Sequence, residues 1–354
     1  MNLALRNVKN LNRYLKYFRI VSHKPLVVMR ILMNYFNIIF LRRKVVRKAE
    51  FGVTFDCQCD CGKCSSERMK NPKGNKLTLE EIKQTAEEII SLGAIQVNFT
   101  GGEPLLEKDL VRIIKYFKPY KTIITINTNG VLLNEKKIDE LEKARVDIIK
   151  ISIDSPLPQE HDKSRGYKGC FESAVSALRY LKKKKNILGQ ISTVCVKENL
   201  NSFRIWKLIA MAKEYNALLG LTIPTVSGRW SGNENILIGD REKDILGEII
   251  KFPQVIRDTD EGYLRSNCPA SSEEFYLTCY GDIIPCPLIQ IAFGNVRQET
   301  VKAIWKKMCD FKEYKLRDNP GCLAGENRKF IEKYLLPIKD RQQLPVGIEE
   351  YSEE

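Results

Sequence analysis

Three closely spaced cysteines constrain this chain more than any other feature. Cys57, Cys61 and Cys64 form a Cys-x3-Cys-x2-Cys pattern just after an apolar run. A cubane iron–sulfur cluster has four irons and normally takes four thiolates. Three cysteines in one short loop can therefore hold three irons and leave the fourth open to a substrate or cofactor. Cys59 lies in the same loop but does not fit the spacing, so we expect it not to be a ligand.

Length and cysteine content favour a metal-binding protein of a reducing compartment. At 354 residues the chain is long for one domain, which predicts a main domain with a smaller appendage. Eleven cysteines would suggest disulfides in a small secreted protein, but this chain is large and shows no cleavable signal pattern. We therefore expect a cytoplasmic protein whose thiolates bind metal. Cys170 and Cys195 fall in apolar periodic segments and are expected to be buried.

The positive charge of the chain is concentrated at its N-terminus. Of the net charge of +14, residues 1–50 contribute +11, from twelve Lys and Arg residues and one acid. The remaining residues therefore carry only +3. An evenly basic surface, as expected of an enzyme that acts on nucleic acid, is not indicated, and we expect no nucleic-acid partner.

The basic N-terminus contains two helical patterns. Residues 5–18 place apolar side chains opposite cations and predict a basic amphipathic helix. The segment from Pro25 to Leu41 is more apolar, and its polar residues Arg30, Asn34 and Asn37 share one face. Its length is at the lower limit for a membrane span, and a central Arg costs roughly 2.5 to 3.5 kcal/mol on insertion scales. A helix that lies in the membrane interface therefore fits better.

The sequence leaves two surfaces as candidate partners for the apolar faces of these helices. Residues 1–48 can attach the protein to the cytoplasmic face of a membrane, because each cation near an anionic leaflet contributes on the order of 1 kcal/mol. Alternatively, the helices cover the bottom of the main domain with their apolar faces while the cations are solvated. Amphipathicity alone does not distinguish these two surfaces.

From residue 51 the sequence alternates β-branched runs with helical patterns, which predicts βα units and a parallel sheet. Periodicity predicts helices over 78–93, 109–117, 134–143, 171–185 and 203–215. It predicts six strands, near 52–55, 94–99, 121–126, 146–151, 188–194 and 218–223. An open barrel of six units and a doubly wound sheet share this alternation, so periodicity leaves the topology open.

The second predicted strand ends in a motif suited to a ligand with an ammonium group. Gly101, Gly102, Glu103 and Pro104 follow the strand directly. Glycines permit close approach of backbone to ligand, and a carboxylate suits an ammonium. Alone, the four residues are equally consistent with a simple turn.

The cysteine loop and the Gly-Gly-Glu-Pro motif about forty residues later together resemble the signature of the radical S-adenosylmethionine (SAM) superfamily. The resemblance implies an α/β fold, a partial (β/α)6 TIM-type barrel with an N-terminal helical segment. It implies a [4Fe-4S] cluster on Cys57, Cys61 and Cys64, with SAM chelating the open iron. One electron from the cluster then breaks a C–S bond and releases a 5'-deoxyadenosyl radical. Gly101, Gly102 and Glu103 would bind the SAM amino group.

The resemblance extends to further strand ends. Ser152 and Arg165 match the region that often contacts the SAM carboxylate, and Asn129 and Asp154 are candidates for the ribose or the substrate. Thr193 ends the fifth strand. Members usually carry an aromatic residue just before the third cysteine, whereas this chain has Lys63. Adenine packing must then come from elsewhere, or from the stem of Lys63.

The C-terminal cysteines resemble the start of a SPASM or shorter twitch extension, on a β-hairpin followed by a helix. The resemblance implies one auxiliary [4Fe-4S] cluster on Cys268, Cys286 and Cys322, with Cys279, Cys309 or the substrate as fourth ligand. A zinc site is the alternative, since thiolates also bind zinc.

The implied domains are an N-terminal helical segment (1–49), a partial barrel (50–225), a linker and helix (226–262), an auxiliary-cluster domain (263–338) and an acidic tail (339–354).

The implied activity is abstraction of hydrogen from an unactivated C–H bond. Among the substrate classes we favour a membrane lipid or isoprenoid, because it would explain the basic N-terminus. A twitch-type dehydrogenase of a sugar or aminocyclitol would explain a single auxiliary cluster, and a peptide maturase is a third reading. The reductant would be a low-potential donor such as ferredoxin or flavodoxin. A non-catalytic iron–sulfur electron carrier has no need of the Gly-Gly-Glu-Pro motif.

Overall fold

A computed structural model describes residues 18, 20–257, 268–270, 272–311, 313 and 321–351. The helix predicted over residues 5–18 lies outside this part of the chain apart from Phe18.

Parallel strands and helices alternate through the main body. The helices are α1 (Pro25–Ile39), α2 (Leu79–Ser91), α3 (Leu110–Tyr116), α4 (Glu135–Lys143), α5 (Pro158–Arg165), α6 (Cys170–Leu181), α7 (Lys197–Leu200), α8 (Phe203–Glu214) and α9 (Asp240–Ile249). The strands are β1 (Lys48–Thr54), β2 (Gln96–Gly101), β3 (Ile123–Thr128), β4 (Ile148–Ser152), β5 (Leu188–Val194), β6 (Leu218–Thr222) and β7 (Val255–Arg257). Neighbouring strands pair in parallel in chain order. The six predicted βα units are confirmed, and the short β7 extends the sheet.

Local sequence explains the helix starts and the core. Thr78 and Glu81 form the expected capping box at α2, and the Asn134 side chain caps α4. The rings of Phe51, Phe99 and Phe117 pack together between the sheet and its helices. Such buried aromatic contacts fix how the first strands sit against α3.

The C-terminal region is continuous with the barrel sheet. Its strands are β8 (Glu274–Leu277), β9 (Ile283–Ile284), β10 (Ile291–Ala292) and β11 (Val346–Gly347), and its helices are α10 (Val301–Asp310), α11 (Leu323–Glu326) and α12 (Arg328–Phe330). The expected hairpin is β8 and β9, and β8 also pairs in parallel with β1. The auxiliary region therefore shares backbone hydrogen bonds with the first strand of the barrel.

The described part of the predicted acidic tail over 339–354 packs against the rest of the protein. Strand β11 pairs with β10, and Leu344 and Val346 are buried. The Leu344 N–H also donates to the Arg68 carbonyl at 2.9 Å. Apolar side chains within this acidic stretch dock it onto the body of the protein.

Helix α1 lies across the amino ends of the strands with its polar face inward. Arg30 Nη2 donates to the carbonyls of Ile90 and Ala94 at 2.7 and 2.9 Å, and Asn34 Nδ2 donates to the Gly93 carbonyl at 2.8 Å. This helix therefore covers the bottom of the barrel, as one of the two predictions above has it, but with a mixed face: Val27 is buried in a small apolar cluster with Ile123 and Ile148, while the larger apolar side chains point outward. Loop carbonyls before β2 need donors, and the polar side chains supply them. Among the described helices, none is both long and apolar enough to cross a membrane.

Candidate functional site

A cavity of about 270 Å³ opens at the carboxyl ends of the strands, where barrels of this type carry their active sites. Its wall includes the three cysteines of the predicted motif. It also includes the predicted residues Gly101, Gly102, Asn129, Ser152, Asp154, Arg165 and Thr193. The structure thus brings together residues spread over more than 130 positions of sequence.

The sulfur atoms of the cysteine loop receive hydrogen bonds suited to thiolates. Cys57 Sγ accepts from the Cys59 N–H at 3.4 Å, and Cys61 Sγ accepts from Arg165 Nη1 at 3.9 Å. Cys64 Sγ accepts backbone N–H bonds from Ser66 and Glu67, which oppose the effect of burial on its pKa. Donors aimed at sulfur are what iron–sulfur ligands receive in proteins. The donor set therefore fits the implied cluster.

The two glycines let the second strand end lie against the cysteine loop. Gly101 has φ of 127°, and a Cβ there would come within 2.0 Å of the Thr54 carbonyl oxygen. A Cβ on Gly102 would come within 2.3 Å of the Asp56 carbonyl oxygen. Only glycine permits this approach, through which Gly102 N–H donates to Thr54 and Glu103 N–H to Asp56.

Glu103 lies behind the cavity wall rather than in it. Its carboxylate is fully buried and accepts from the N–H groups of Leu105 and Asn129 and from the Thr128 hydroxyl, at 2.8 to 3.1 Å. Burial raises the pKa of Glu103 to about 7, although these donors oppose the shift. In this arrangement Glu103 positions the β3 loop that carries Asn129.

A buried ion cluster joins three of the cavity residues. Arg165 pairs with Asp154 through Nε and Nη2 at 2.7 and 2.8 Å, and Lys63 Nζ lies 2.6 Å from Asp154 Oδ1. Burial alone would raise the pKa of Asp154, but Arg165 and Lys63 outweigh it and hold the pKa well below its usual range. Lys63, where an aromatic residue was expected, thus places its ammonium beside the cysteine loop.

Several cavity residues were not anticipated from sequence. Glu50 and Lys150 line the inner part of the cavity with Tyr276. Burial alone would raise the pKa of Glu50, but Lys48 and Lys150 lower it. The Tyr276 hydroxyl is buried and has no hydrogen-bond partner among the described residues. The alternation of charged with apolar residues along β1 and β4 was the available signal, since these side chains point into the barrel.

Arg229, within the predicted linker, holds the cysteine loop from outside. Its N–H donates to the Cys64 carbonyl at 3.0 Å, and its guanidinium donates to the Cys61 carbonyl at 3.1 Å. It also pairs with Asp60 at 2.5 Å and with Glu67 at 3.1 Å. Nothing in the local sequence marks this residue, because its partners lie more than 160 positions away.

The C-terminal cysteines form a second group. Burial raises the pKa of the Cys286 thiol, and Cys268 and Cys322 raise it further, so the three sulfurs are electrostatic neighbours. Cys268 accepts backbone N–H bonds from Leu323 and Ala270. The structure does not bring Cys279 or Cys309 to this group: the charged neighbours of Cys279 are Lys76 and Asp56, and those of Cys309 are Lys44 and Asp310.

Neither cysteine group is arranged for a single ion. Within the described residues, no set of three or more His, Cys, Asp or Glu side chains is spaced to hold one metal ion. Cysteine ligands of a cubane cluster bind separate irons and lie further apart than the ligands of one zinc ion.

Comparison with known proteins agrees with this site. The model of the Radical SAM superfamily matches residues 52–204, and the model of the SPASM iron-sulfur cluster-binding domain matches residues 268–325, together more than half of the chain. The protein therefore belongs to the radical SAM superfamily and carries a C-terminal SPASM domain. It is an enzyme whose cofactors are a [4Fe-4S] cluster and SAM, and its SPASM domain implies auxiliary iron–sulfur binding.

The relatives of this chain carry names that describe different activities. The AdoMet-dependent heme synthase of Methanosarcina barkeri (strain Fusaro) is 26% identical over 77% of this chain and 85% of its own length. The PqqA peptide cyclase of Gluconobacter oxydans is 29% identical over 72% of this chain and 74% of its own. The structure of Streptococcus suis SuiB bound to S-adenosylmethionine superposes with a TM-score of 0.59 at 15% identity, over 74% of this chain and 66% of SuiB. The chain thus spans slightly less than two thirds of SuiB, and this likeness supports the fold alone.

Proposed function

We propose that the protein cleaves SAM reductively at an iron–sulfur cluster held by Cys57, Cys61 and Cys64. The resulting radical then abstracts hydrogen from an unactivated C–H bond of a polar substrate inside the barrel. The observation that carries this proposal is the cavity that joins the cysteine loop to Glu50, Lys150 and Tyr276. When bound, the cluster and SAM supply one electron and a primary carbon radical. The protein groups orient the reactants and exclude water.

The outer part of the cavity is proposed to hold SAM. Gly101 and Gly102 line the wall, and we propose that their backbone carbonyls accept from the ammonium of SAM. Glu103 keeps the neighbouring loop in place from behind. Arg165 and Lys63 form the cationic side of the wall, which suits a carboxylate. Asn129, Ser152, Asp154 and Thr193 are proposed to bind the ribose or the substrate.

The inner part of the cavity favours a substrate whose reacting end is polar. Its wall presents the carboxylate of Glu50, the ammonium of Lys150 and the hydroxyl of Tyr276. Asn127 Oδ1 and Thr193 Oγ1 are also buried without a hydrogen-bond partner in the described residues. Burial of such groups is costly unless a ligand or water satisfies them. A hydrocarbon chain would satisfy none of them.

The polar groups of the cavity wall help to choose among the three substrate classes that the sequence left open. The polar wall favours a peptide or a polar small molecule, such as a sugar or aminocyclitol, over the hydrocarbon part of a lipid or isoprenoid. The lipid substrate stays a prediction, compatible with this wall only through a polar head group. Similarity to the PqqA peptide cyclase supports the peptide maturase as second candidate.

The SPASM cysteines are proposed to hold an auxiliary cluster that takes up an electron from the substrate radical. Cys268, Cys286 and Cys322 are the proposed ligands because they lie together, whereas Cys279 and Cys309 lie elsewhere. A low-potential donor such as ferredoxin or flavodoxin is proposed to reduce the first cluster.

Anaerobic reconstitution with iron and sulfide tests the proposal. Reduced protein should convert SAM to 5'-deoxyadenosine and methionine, and mass spectrometry should detect a modified species when polar metabolite or peptide extracts are added. A parallel reaction with membrane lipid extract tests the lipid class. Failure of reduced, cluster-loaded protein to form 5'-deoxyadenosine would overturn the proposal, and modification confined to the lipid extract would overturn the choice of substrate class.

A further inference from the structure

The amino end of the barrel carries an apolar surface that the chemistry at the opposite end does not use. Of the fifteen large hydrophobic side chains that are exposed in the described chain, nine lie between residues 18 and 41. Those on α1 recur every three or four positions, so they form one outward stripe: Val28, Met29, Leu32, Met33, Phe36 and Ile39. Monomeric soluble proteins rarely expose such contiguous apolar surface without a partner.

The orientation of α1 is fixed by buried polar contacts on its other side. Lys24 Nζ lies 2.6 Å from Asp147 Oδ2 and donates to the Thr122 carbonyl at 2.9 Å. Arg30 and Asn34 add three hydrogen bonds, one to the last turn of α2 and two to the loop before β2. A rotation that buried the apolar stripe would leave these charged and amide groups unsatisfied, so the stripe stays outward.

The loops around this stripe are basic. Residues 118–122 before β3 and 182–187 before β5 contain six lysines and no acid. Ile20, five residues before α1, lines a small groove with Lys182 and Lys185, which places the second loop near the start of the helix. Lys184 is paired with Asp139 and Glu142, whereas Lys182 and Lys183 are exposed. Arg42 and Arg43, just after α1, are exposed as well.

We infer that this end of the barrel, formed by α1 and the lysine loops, binds to the surface of an anionic lipid bilayer. An apolar stripe with a cationic rim matches the acyl and headgroup layers of such a surface. At fifteen residues α1 is too short to span the bilayer and lies in the interface plane. The basic N-terminal segment of the sequence adds charge of the same sign. The inference does not rest on the proposed function.

This placement separates membrane contact from catalysis. The stripe is at the amino ends of the strands, while the cavity with Gly101, Ser152 and Val194 is at their carboxyl ends. With α1 on a bilayer, the cavity opens away from it. A substrate would then reach the cavity from the aqueous side.

Vesicle flotation of the full-length protein tests the inference. Vesicles of phosphatidylcholine with phosphatidylglycerol should carry the protein upward, and vesicles of phosphatidylcholine alone should not. The double variant Leu32→Ser/Phe36→Ser removes apolar side chains from the stripe. The double variant Lys182→Glu/Lys183→Glu reverses the charge of one lysine loop. Each variant should bind the anionic vesicles about tenfold more weakly or worse. All four side chains are exposed, so thermal melting should show unchanged folding.

Matched variants control for general loss of hydrophobicity or charge. Phe203→Ser/Trp206→Ser removes two exposed apolar groups from α8, and Lys163→Glu/Lys339→Glu reverses two exposed cations elsewhere. Both should float like the wild type.

Three results would overturn the inference. One is equal flotation of the stripe variant and the wild type. Another is a dimer that the stripe variant dissociates without any vesicle binding by the wild type, which would assign the stripe to a second copy. The third is flotation that appears only after deletion of residues 1–17, which would assign it to the chain's own N-terminus.

Discussion

The two ends of the barrel use polar and apolar side chains in opposite ways. In the cavity that opens at the carboxyl ends, charged and hydroxyl groups such as Lys150 and Tyr276 are buried. At the amino ends, the charged and amide groups of α1 turn inward to backbone carbonyls, and its large apolar groups face outward, with the buried Val27 as an exception. The difference teaches that buried polar side chains serve different partners at the two ends. At the carboxyl ends they are available to a ligand, and at the amino ends those of α1 satisfy backbone carbonyls that otherwise lack donors.

The largest expected effect is at the carboxyl end. Cys61→Ala should abolish formation of 5'-deoxyadenosine and remove the iron of the first cluster, because three thiolates are needed to hold it. Cys59→Ala is the matched control in the same loop and should keep both iron and SAM cleavage. Iron analysis and product assay of the reconstituted variants measure this. Loss of iron in Cys59→Ala equal to that in Cys61→Ala would contradict the assignment.

At the amino end, Lys24→Ala should destabilise the fold. It leaves Asp147 buried without its cation, and breaking a buried pair in this way costs about 3 kcal/mol or more. Burial already raises the pKa of Asp147 to about 6 despite Lys24, so removal of the ammonium raises it further. Chemical denaturation measures the loss. Arg145→Ala, an exposed cation close by, is the control, and an equal loss in both variants would refute the anchoring role of Lys24.

The cavity residues at the carboxyl ends of the strands could be predicted from the sequence because their motifs are local. The cysteine spacing and the Gly-Gly-Glu-Pro run each occupy a few consecutive residues, and parallel strands bring their ends together. The predicted strands β5 and β6 began at the observed residues, whereas β2, β3 and β4 were predicted to begin two residues early and β1 four residues late. Before β2 the cause is that the loop residues Ala94 and Ile95 are also buried and apolar. The contacts of Lys63 and Arg229 could not be predicted, since their partners are distant in sequence.

At the amino end, the orientation of α1 could not be predicted from the sequence, and the reason is different. The periodicity of α1 separates a polar from an apolar face but does not say which faces the core. That depends on whether the loops beneath it leave carbonyls without donors, as at Gly93 and Ala94. The choice of a fourth ligand beside Cys268, Cys286 and Cys322 was open for a similar reason, because only the fold shows that Cys279 lies away from this group.

A smaller effect is expected in the pH dependence of stability. The folded pKa of Glu103 is about 7, above its unfolded value, so the stability it contributes is present below pH 4.5 and lost as the pH rises through 7. Between pH 5 and 7, unfolding free energy should fall by up to about 1.4 kcal/mol per pH unit from this group. Glu103→Gln should flatten that slope in denaturation curves, and Glu172→Gln, an exposed control, should not. Identical slopes in all three proteins would show that Glu103 titrates normally.

The smallest effect sharpens the contrast between ligand-facing and structural polar groups. The Tyr276 hydroxyl is buried without a partner in the described chain, whereas the Tyr280 hydroxyl bonds the N–H and carbonyl of Asn71 at 3.0 and 2.9 Å. Tyr276→Phe should therefore leave stability unchanged or raise it by up to about 1 kcal/mol, while Tyr280→Phe should lose about 1 kcal/mol. Denaturation of both variants measures this. A loss in Tyr276→Phe as large as that in Tyr280→Phe would mean that the hydroxyl holds the fold, and the inner cavity would lose one of its proposed substrate contacts.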